Sequence, residues 1–229
     1  MNHNFDKVIV ISYVSNYSKQ KRISKILNKL NIDFEFVYGI DAYNISNIRA
    51  IDFDDPVNCW NNDVENNKYD AYYVHGISCC IAHLTAIELA YSQKCKNVLI
   101  LEDDIFFNND LNIVETYLTN YPEDADVIQY GYINHSHEHT NYNNRYNTLY
   151  NKNDYLCNGT QCYAICNRKT MKIYLKHIKK HFMAYDQIHW IDNFVNLYKL
   201  NVYCAIEPIC IDKNHIENIE NTDNYSNIT

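Results

Sequence analysis

Apolar and polar positions along this chain fall into blocks whose period switches between strand-like and helix-like. Lys7 to Ser12 is a nearly unbroken apolar run, the pattern of a strand buried on both faces. A polar turn, Tyr13 to Gln20, leads into Lys21 to Leu30, where Ile23, Ile26, Leu27 and Leu30 share one helical face. Phe34 to Tyr38 reads as a second strand, closing at Gly39-Ile40-Asp41. A strand, helix, strand opening of this length predicts a right-handed parallel crossover with both strand ends at one sheet edge. Residues 42–75 show no clear period and predict a long irregular insertion, of the kind that serves as a binding loop or lid.

From Gly76 the helical period returns, with Ile77, Cys80, Ile81, Leu84, Ile87 and Tyr91 recurring through Ser92. Val98 to Leu101 is a buried-strand pattern, and Ala125 to Tyr130 another. The polar stretch 131–158 is dense in Asn, His and Tyr. Gly159 to Ile165 is strand-like again. Arg168 to His181 and Gln187 to Leu200 read as helices around the loop Phe182 to Asp186, and Asn201 to Ile206 as a last strand. These blocks predict an α/β fold: a Rossmann-like, mostly parallel sheet sandwiched by helices. A single domain over residues 1–217 and a polar tail, 218–229, are expected. Loops 42–75 and 131–158 are expected to face substrate.

The chemistry concentrates at the end of the Val98 strand, which continues Glu102-Asp103-Asp104. Open α/β sheets bind ligands outside the carboxyl ends of their strands. Three clustered carboxylates are electrostatically costly unless a cation or a proton sits among them. A hard divalent ion carrying a phosphate-containing substrate answers that cost. A solvated acidic turn is the plain alternative.

Bulk composition narrows the choice. The 229 residues carry a formal net charge of −8, with no basic face, which excludes nucleic acid as a general partner. The short clusters Lys19 to Arg22 and Lys176 to Lys180 read as solvated helix faces. No stretch supplies the ~20 apolar residues of a transmembrane helix, and the N-terminus lacks a secretory pattern, so a cytoplasmic location is expected. The nine cysteines form no CxxC pair, which indicates neither a structural zinc site nor a redox motif. With only four glycines, Asn is expected to stand in at turns that need Gly.

In order and signature, these segments resemble glycosyltransferase family 25, the lipooligosaccharide-type and collagen-type sugar transferases. The matching pieces are Val8 to Ser12 with Arg22, Phe34 to Asp41, and Gly76-Ile77-Ser78-Cys79-Cys80-Ile81-Ala82-His83. Glu102-Asp103-Asp104, Gly159 to Ala164 and Ala184-Tyr185-Asp186 complete them. The chain departs from the family at Ala82, where Ser is usual, and after Pro208 the match loosens. The resemblance implies a GT-A fold, a nucleotide-sugar donor, a divalent metal and inversion at the anomeric carbon. The function expected is transfer of a hexose from a UDP-sugar to a saccharide or hydroxylated protein acceptor by single displacement, with Mn2+ or Mg2+ as cofactor. A catalytically silent nucleotide-sugar or glycan-binding module, and a metal-dependent phosphohydrolase, are the alternatives.

Roles follow residue by residue. Asp104 is assigned to the metal and Glu102 to the metal, a metal-bound water or the ribose, while Asp103 alternates to the other side of the strand and either joins the donor site or orients a neighbouring loop. The resemblance makes Asp186 the base that takes the acceptor proton; read without it, Asp186 is an N-cap for the helix from Gln187, and the two roles are compatible. His83 is a core histidine by its apolar context, and a donor-site residue by resemblance. His215 is a further metal or phosphate contact on the same ground. Arg22 is a fork for the diphosphate or a helix-surface residue. Asp41 is placed to accept from uracil or ribose, as the acid ending strand two does in dinucleotide folds. Thr160 and Gln161 are assigned to the acceptor pocket.

Overall fold

The computed structural model describes residues 4–40, 71–131, 147–153, 159–180 and 194–211, with 71–77, 153, 180 and 211 described by backbone alone. In chain order the elements are β1 (Lys7–Ser12), α1 (Tyr17–Lys29), β2 (Glu35–Tyr38), α2 (Ala71–Ser92), β3 (Val98–Glu102), β4 (Phe106–Phe107) and α3 (Leu111–Thr119). They continue with β5 (Val127–Gly131), β6 (Tyr150–Asn153), β7 (Cys162–Ile165), α4 (Arg168–Lys180), α5 (Phe194–Tyr198), β8 (Val202–Ala205) and β9 (Cys210–Ile211).

Seven strands form one sheet in the order β2-β1-β3-β7-β5-β8-β6, and β4 pairs with β9 in a small separate ribbon. Strands β1, β2 and β3 are parallel, and so are β5 and β8. β7 runs antiparallel to both its neighbours, and β6 is an antiparallel edge strand on β8. The sheet is therefore mixed, with five strands in one direction and two in the other. An apolar run such as Cys162-Tyr163-Ala164-Ile165 marks a buried strand but carries no sign of its direction.

Pleat alternation sorts the core into two layers. Val8, Val10, Leu99 and Leu101 pack with Ile23 and Leu27 of α1 and Val114, Tyr117 and Leu118 of α3. Ile9, Val98 and Ile100 face the opposite way, onto Leu84, Ile87 and Ala90 of α2, Met171, Tyr174 and Ile178 of α4, and Phe194 of α5. The expected sandwich of helices on both sheet faces is present.

Element limits differ from the periodicity in physically informative ways. α1 begins at Tyr17, a full turn before its apolar stripe, because that first turn faces the sheet edge and not the core. α2 reaches back to Ala71, into the stretch expected to be irregular. β6 lies within the expected 131–158 loop. It is a polar edge strand that pairs through its backbone, so its side chains give no strand period. α1 closes with Asn31 at φ 51, in the left-handed conformation glycine usually fills, while Lys94 (φ 63) and Lys199 (φ 52) do the same after α2 and α5. Asn thus stands in at one of these turns and Lys at two. Among the described residues, no helix is long and apolar enough to cross a membrane.

Candidate active site

Five strands end at one edge of the sheet, and the antiparallel β7 begins there. Leu101 pairs with Cys162, so the residues just before β7 meet those ending β3. The Glu102 N–H donates to the Gln161 carbonyl at 2.9 Å. Thr160 and Gln161 are thus delivered to the acids by β7's reversed direction.

The pleat then sends successive acids to different sides. Glu102 continues the Val98 and Ile100 parity toward α2. Its Oε1 accepts from the Thr160 hydroxyl at 2.6 Å and lies 3.3 Å from His83 Nε2. His83 is fully buried, and its Nδ1 is 3.0 Å from the Tyr163 hydroxyl. Burial pushes the Glu102 carboxyl up, but the bonds and charge of His83, the bond from Thr160 and the charge of Lys19 outweigh it and hold the carboxyl below its ordinary value.

Asp103 takes the other parity, shared with Val8, Val10 and Ser12, and points toward α1. Its Oδ2 accepts from Ser12 Oγ at 2.6 Å and from Asn16 Nδ2 at 3.3 Å, and Gln20 in turn donates to Ser12 Oγ at 3.1 Å. Asn16 precedes α1 but makes no side-chain cap; its Nδ2 donates to Asp103 instead. The Asp103 carbonyl accepts from Arg22 at 2.8 Å, and the Arg22 guanidinium lies 3.8 Å from the Phe106 ring centroid. Burial lowers the Arg22 pKa against the raising effect of Asp104 and Asp103.

Asp104 is left over. Its Oδ1 is sealed from solvent and has no hydrogen-bond partner among the described residues. Among the described residues its Oδ2 pairs with Lys19, at 3.5 Å, and that ammonium is shared with Asp103 at 3.7 Å. Burial, then Glu102, raise the Asp104 carboxyl above its ordinary value, with Lys19 opposing. A buried, unpartnered carboxylate oxygen beside two carboxylates already committed elsewhere is the donor chemistry that a hard divalent cation completes.

A second donor set overlaps this one: Cys79, His83 and Glu102 offer sulfur, nitrogen and oxygen atoms that all lie within 4.8 Å of one another. The structure therefore brings together Arg22, His83, Glu102, Asp103, Asp104, Thr160 and Gln161. Asp41, Asp186 and His215 lie outside the described residues, as do most of loops 42–75 and 131–158 and the whole 218–229 tail.

Sequence reasoning missed Ser12, Asn16, Lys19, Gln20, Cys79 and Tyr163. The Lys19 to Arg22 cluster, read as a solvated face, divides. Lys21 is exposed, whereas Lys19 and Arg22 turn to the acids. Polar residues in the first turn of a helix that follows a buried strand were the available signal, since such a turn overhangs the strand's carboxyl end.

The fold is a mixed α/β sandwich with an acid cluster and flanking cations at the sheet edge where open α/β sheets bind their ligands. The model of Glycosyltransferase family 25 (LPS biosynthesis protein) matches residues 5–189, most of the chain. The chain belongs to glycosyltransferase family 25, and its activity is that of a glycosyltransferase acting between a sugar donor and an acceptor. No curated protein matches it. Among solved structures, the one titled "Crystal Structure of A197 from STIV" is similar at 13% identity, with 86% of this chain and 80% of that chain covered and a TM-score of 0.42. At that score the likeness adds nothing to the reading of the fold.

Proposed function

We propose that the protein is a metal-dependent, inverting hexosyltransferase of GT-A type that takes its sugar from a UDP-sugar and passes it to a saccharide or hydroxylated acceptor. The observation that carries this reading is Asp104, whose buried Oδ1 has no partner among the described residues and whose carboxyl is raised by burial and by Glu102. Asp104 and Glu102 are the residues that would hold the cation, Mn2+ or Mg2+, with His215 as the further contact the family resemblance assigns. When bound, a divalent cation supplies Lewis-acid stabilisation of the charge that gathers on the leaving diphosphate.

The remaining work falls to side chains. Thr160 and His83 fix the Glu102 carboxylate through Oε1, and no bond among the described residues goes to Oε2, which leaves that oxygen for the ligand. Asp103, held by Ser12 and Asn16, ties the acidic turn to the start of α1. Arg22 clamps the Asp103 carbonyl, so it braces the turn that carries Asp104. In an inverting single displacement the acceptor oxygen bonds to the anomeric carbon as the bond from that carbon to the diphosphate oxygen breaks. The hydroxyl proton passes to a carboxylate base, the role the resemblance gives Asp186.

The test is turnover of UDP-hexoses, read as donor hydrolysis and as transfer to a panel of saccharides, with manganese and with chelator. Asp104→Asn is expected to lower both by about a hundredfold or more, the scale of losing one electrostatic stabiliser of a leaving anion. Equal turnover in the variant, or in chelator, removes the metal from the mechanism.

A further inference from the structure

The buried side of Glu102 faces donors that an oxygen-seeking ion does not use. Cys79 and His83 stand four residues apart on α2, so both project from one face of the helix. Glu102 is the last residue of β3, and its pleat faces that helix. Cys79 stands as a thiol, not a disulfide. The donors from the three residues lie within 4.8 Å of one another and are carried by a helix and a strand packed in the core, not by a loop.

The donor types decide the ion. Thiolate, imidazole and carboxylate together suit zinc-class cations and suit manganese or magnesium poorly. Donors on tetrahedral zinc stand roughly 3.3–3.8 Å apart, so this set needs to close by about 1 Å, within reach of side-chain rotation. Three protein donors leave the fourth tetrahedral position to water. His83 also has the outer partner that metal-bound imidazoles usually have: its Nδ1 is 3.0 Å from the buried Tyr163 hydroxyl. Without an ion, His83 Nε2 faces Glu102 and Nδ1 shares a proton with the Tyr163 hydroxyl. With an ion on Nε2, the proton left on the ring stands at Nδ1 and the Tyr163 oxygen accepts it.

We propose that Cys79, His83 and Glu102 form a thiolate-bearing site for a zinc-class cation, and that filling this site inhibits sugar transfer by drawing off the charge of Glu102. The inhibitory half rests on the function proposed above; the site itself does not. Binding balances simply. The Cys79 thiol gives its proton to solvent, the proton on His83 Nε2 passes to Nδ1 or to solvent, and Glu102 takes the ion as a carboxylate. A dication sharing Glu102 then weakens the hold of the Asp104 side on the donor's cation, through like-charge repulsion across one carboxylate.

Cobalt(II) is the probe, added to the full chain without nucleotide. The expected result is a thiolate-to-cobalt charge-transfer band with intense four-coordinate visible bands, saturating at about one ion per chain. Cys79→Ser is expected to fold, as judged by its melting transition, to lose the charge-transfer band and to bind cobalt at least about tenfold more weakly. Cys79→Ala provides the same test should the serine variant misfold. His83→Gln is expected to weaken binding similarly while keeping the thiolate band. An absent band in the wild type, or an undiminished one without the Cys79 sulfur, overturns the site. In the second arm, equimolar zinc abolishes manganese-supported donor turnover in the wild type and spares Cys79→Ser. Equal inhibition of both overturns the inhibitory role. A chain that turns over no sugar nucleotide at all defeats the transferase reading, while the cobalt arm still decides the site.

Discussion

At the scale of single residues, the acidic edge is held together by unequal commitments, and Lys19 is the adjustable one. Its ammonium stands 3.5 Å from Asp104 and 3.7 Å from Asp103, with the side chain 42% exposed. A partly exposed ion pair of that geometry is worth little, so an arriving divalent cation displaces it readily. Under the proposed function, Lys19 would compete with the cation for Asp104 and, once displaced, would be released toward the anionic donor. Lys19→Met is therefore expected to tighten manganese binding about two- to fivefold without nucleotide, and to weaken UDP binding once manganese is present. Electron paramagnetic resonance of free manganese and calorimetry of UDP measure the two effects. Weaker manganese binding in the variant would assign Lys19 a structural role only.

Asp104 yields a stability prediction as well as a catalytic one. Its carboxyl is raised above the ordinary value of 3.8 by burial first and by Glu102 second. A group with a higher pKa folded than unfolded holds its proton better in the fold. Its favourable contribution is present below the unfolded value and lost as pH rises through the folded value. At neutral pH the ionised Asp104 thus weighs against folding. Asp104→Asn should melt above the wild type at pH 7 without metal, with the gap closing toward acid pH, where the native carboxyl is protonated in both states. Manganese should reverse the order by stabilising the wild type alone. A variant that melts lower at every pH refutes the reading of an electrostatically costly, functional carboxylate.

At the scale of elements, legibility followed what side chains can encode. β1, β3 and the apolar stripe of α1 could be read because burial on one or both faces writes a period into the sequence. The acid cluster could be read because it ends such a strand. Strand direction is a property of connections and leaves no mark on a run like Cys162 to Ile165. The consequence that Thr160 and Gln161 meet Glu102 through β7's reversed direction was for that reason hidden. β6 was hidden for the opposite cause: Asn151, Lys152 and Asn153 pair by backbone while their composition reads as loop. The first turn of α1 looked like solvent-facing polar sequence because the sheet edge it serves is itself polar. Packing between elements gives the test here. A Cβ on Gly131, at the end of β5, would stand 2.6 Å from Cys210 Sγ and 3.1 Å from the Cys210 carbonyl oxygen. The second contact is with backbone, so β9 and the ribbon it forms with β4 must shift. Gly131→Ala is expected to cost about 1–3 kcal/mol, read as a lowered urea midpoint at unchanged slope. A neutral substitution would mean that the ribbon is not fixed to the sheet.

At the scale of the whole molecule, charge bears on how the proposed donor and cation would bind together. A chain with net charge −8 repels a nucleoside diphosphate at long range, and under the proposed function three of its acids stand where the diphosphate would lie. Under the proposed function, UDP alone would meet carboxylates and manganese alone a site only partly walled by protein. Together they would neutralise one another, so positive coupling between the two is the expected outcome. In a melting experiment each alone should stabilise weakly. With manganese already bound, UDP at about 100 times the dissociation constant it has under those conditions should add about 2.7 kcal/mol, a rise of roughly 5–10 °C for a domain of this size. Added salt screens the long-range repulsion but not the short-range coordination, so the joint shift should persist at high ionic strength while any shift from UDP alone stays small. A full shift from UDP in the presence of chelator would place the nucleotide on basic groups, with no cation between it and Asp104. In that case the buried Oδ1 would need another partner, and the acidic edge another purpose.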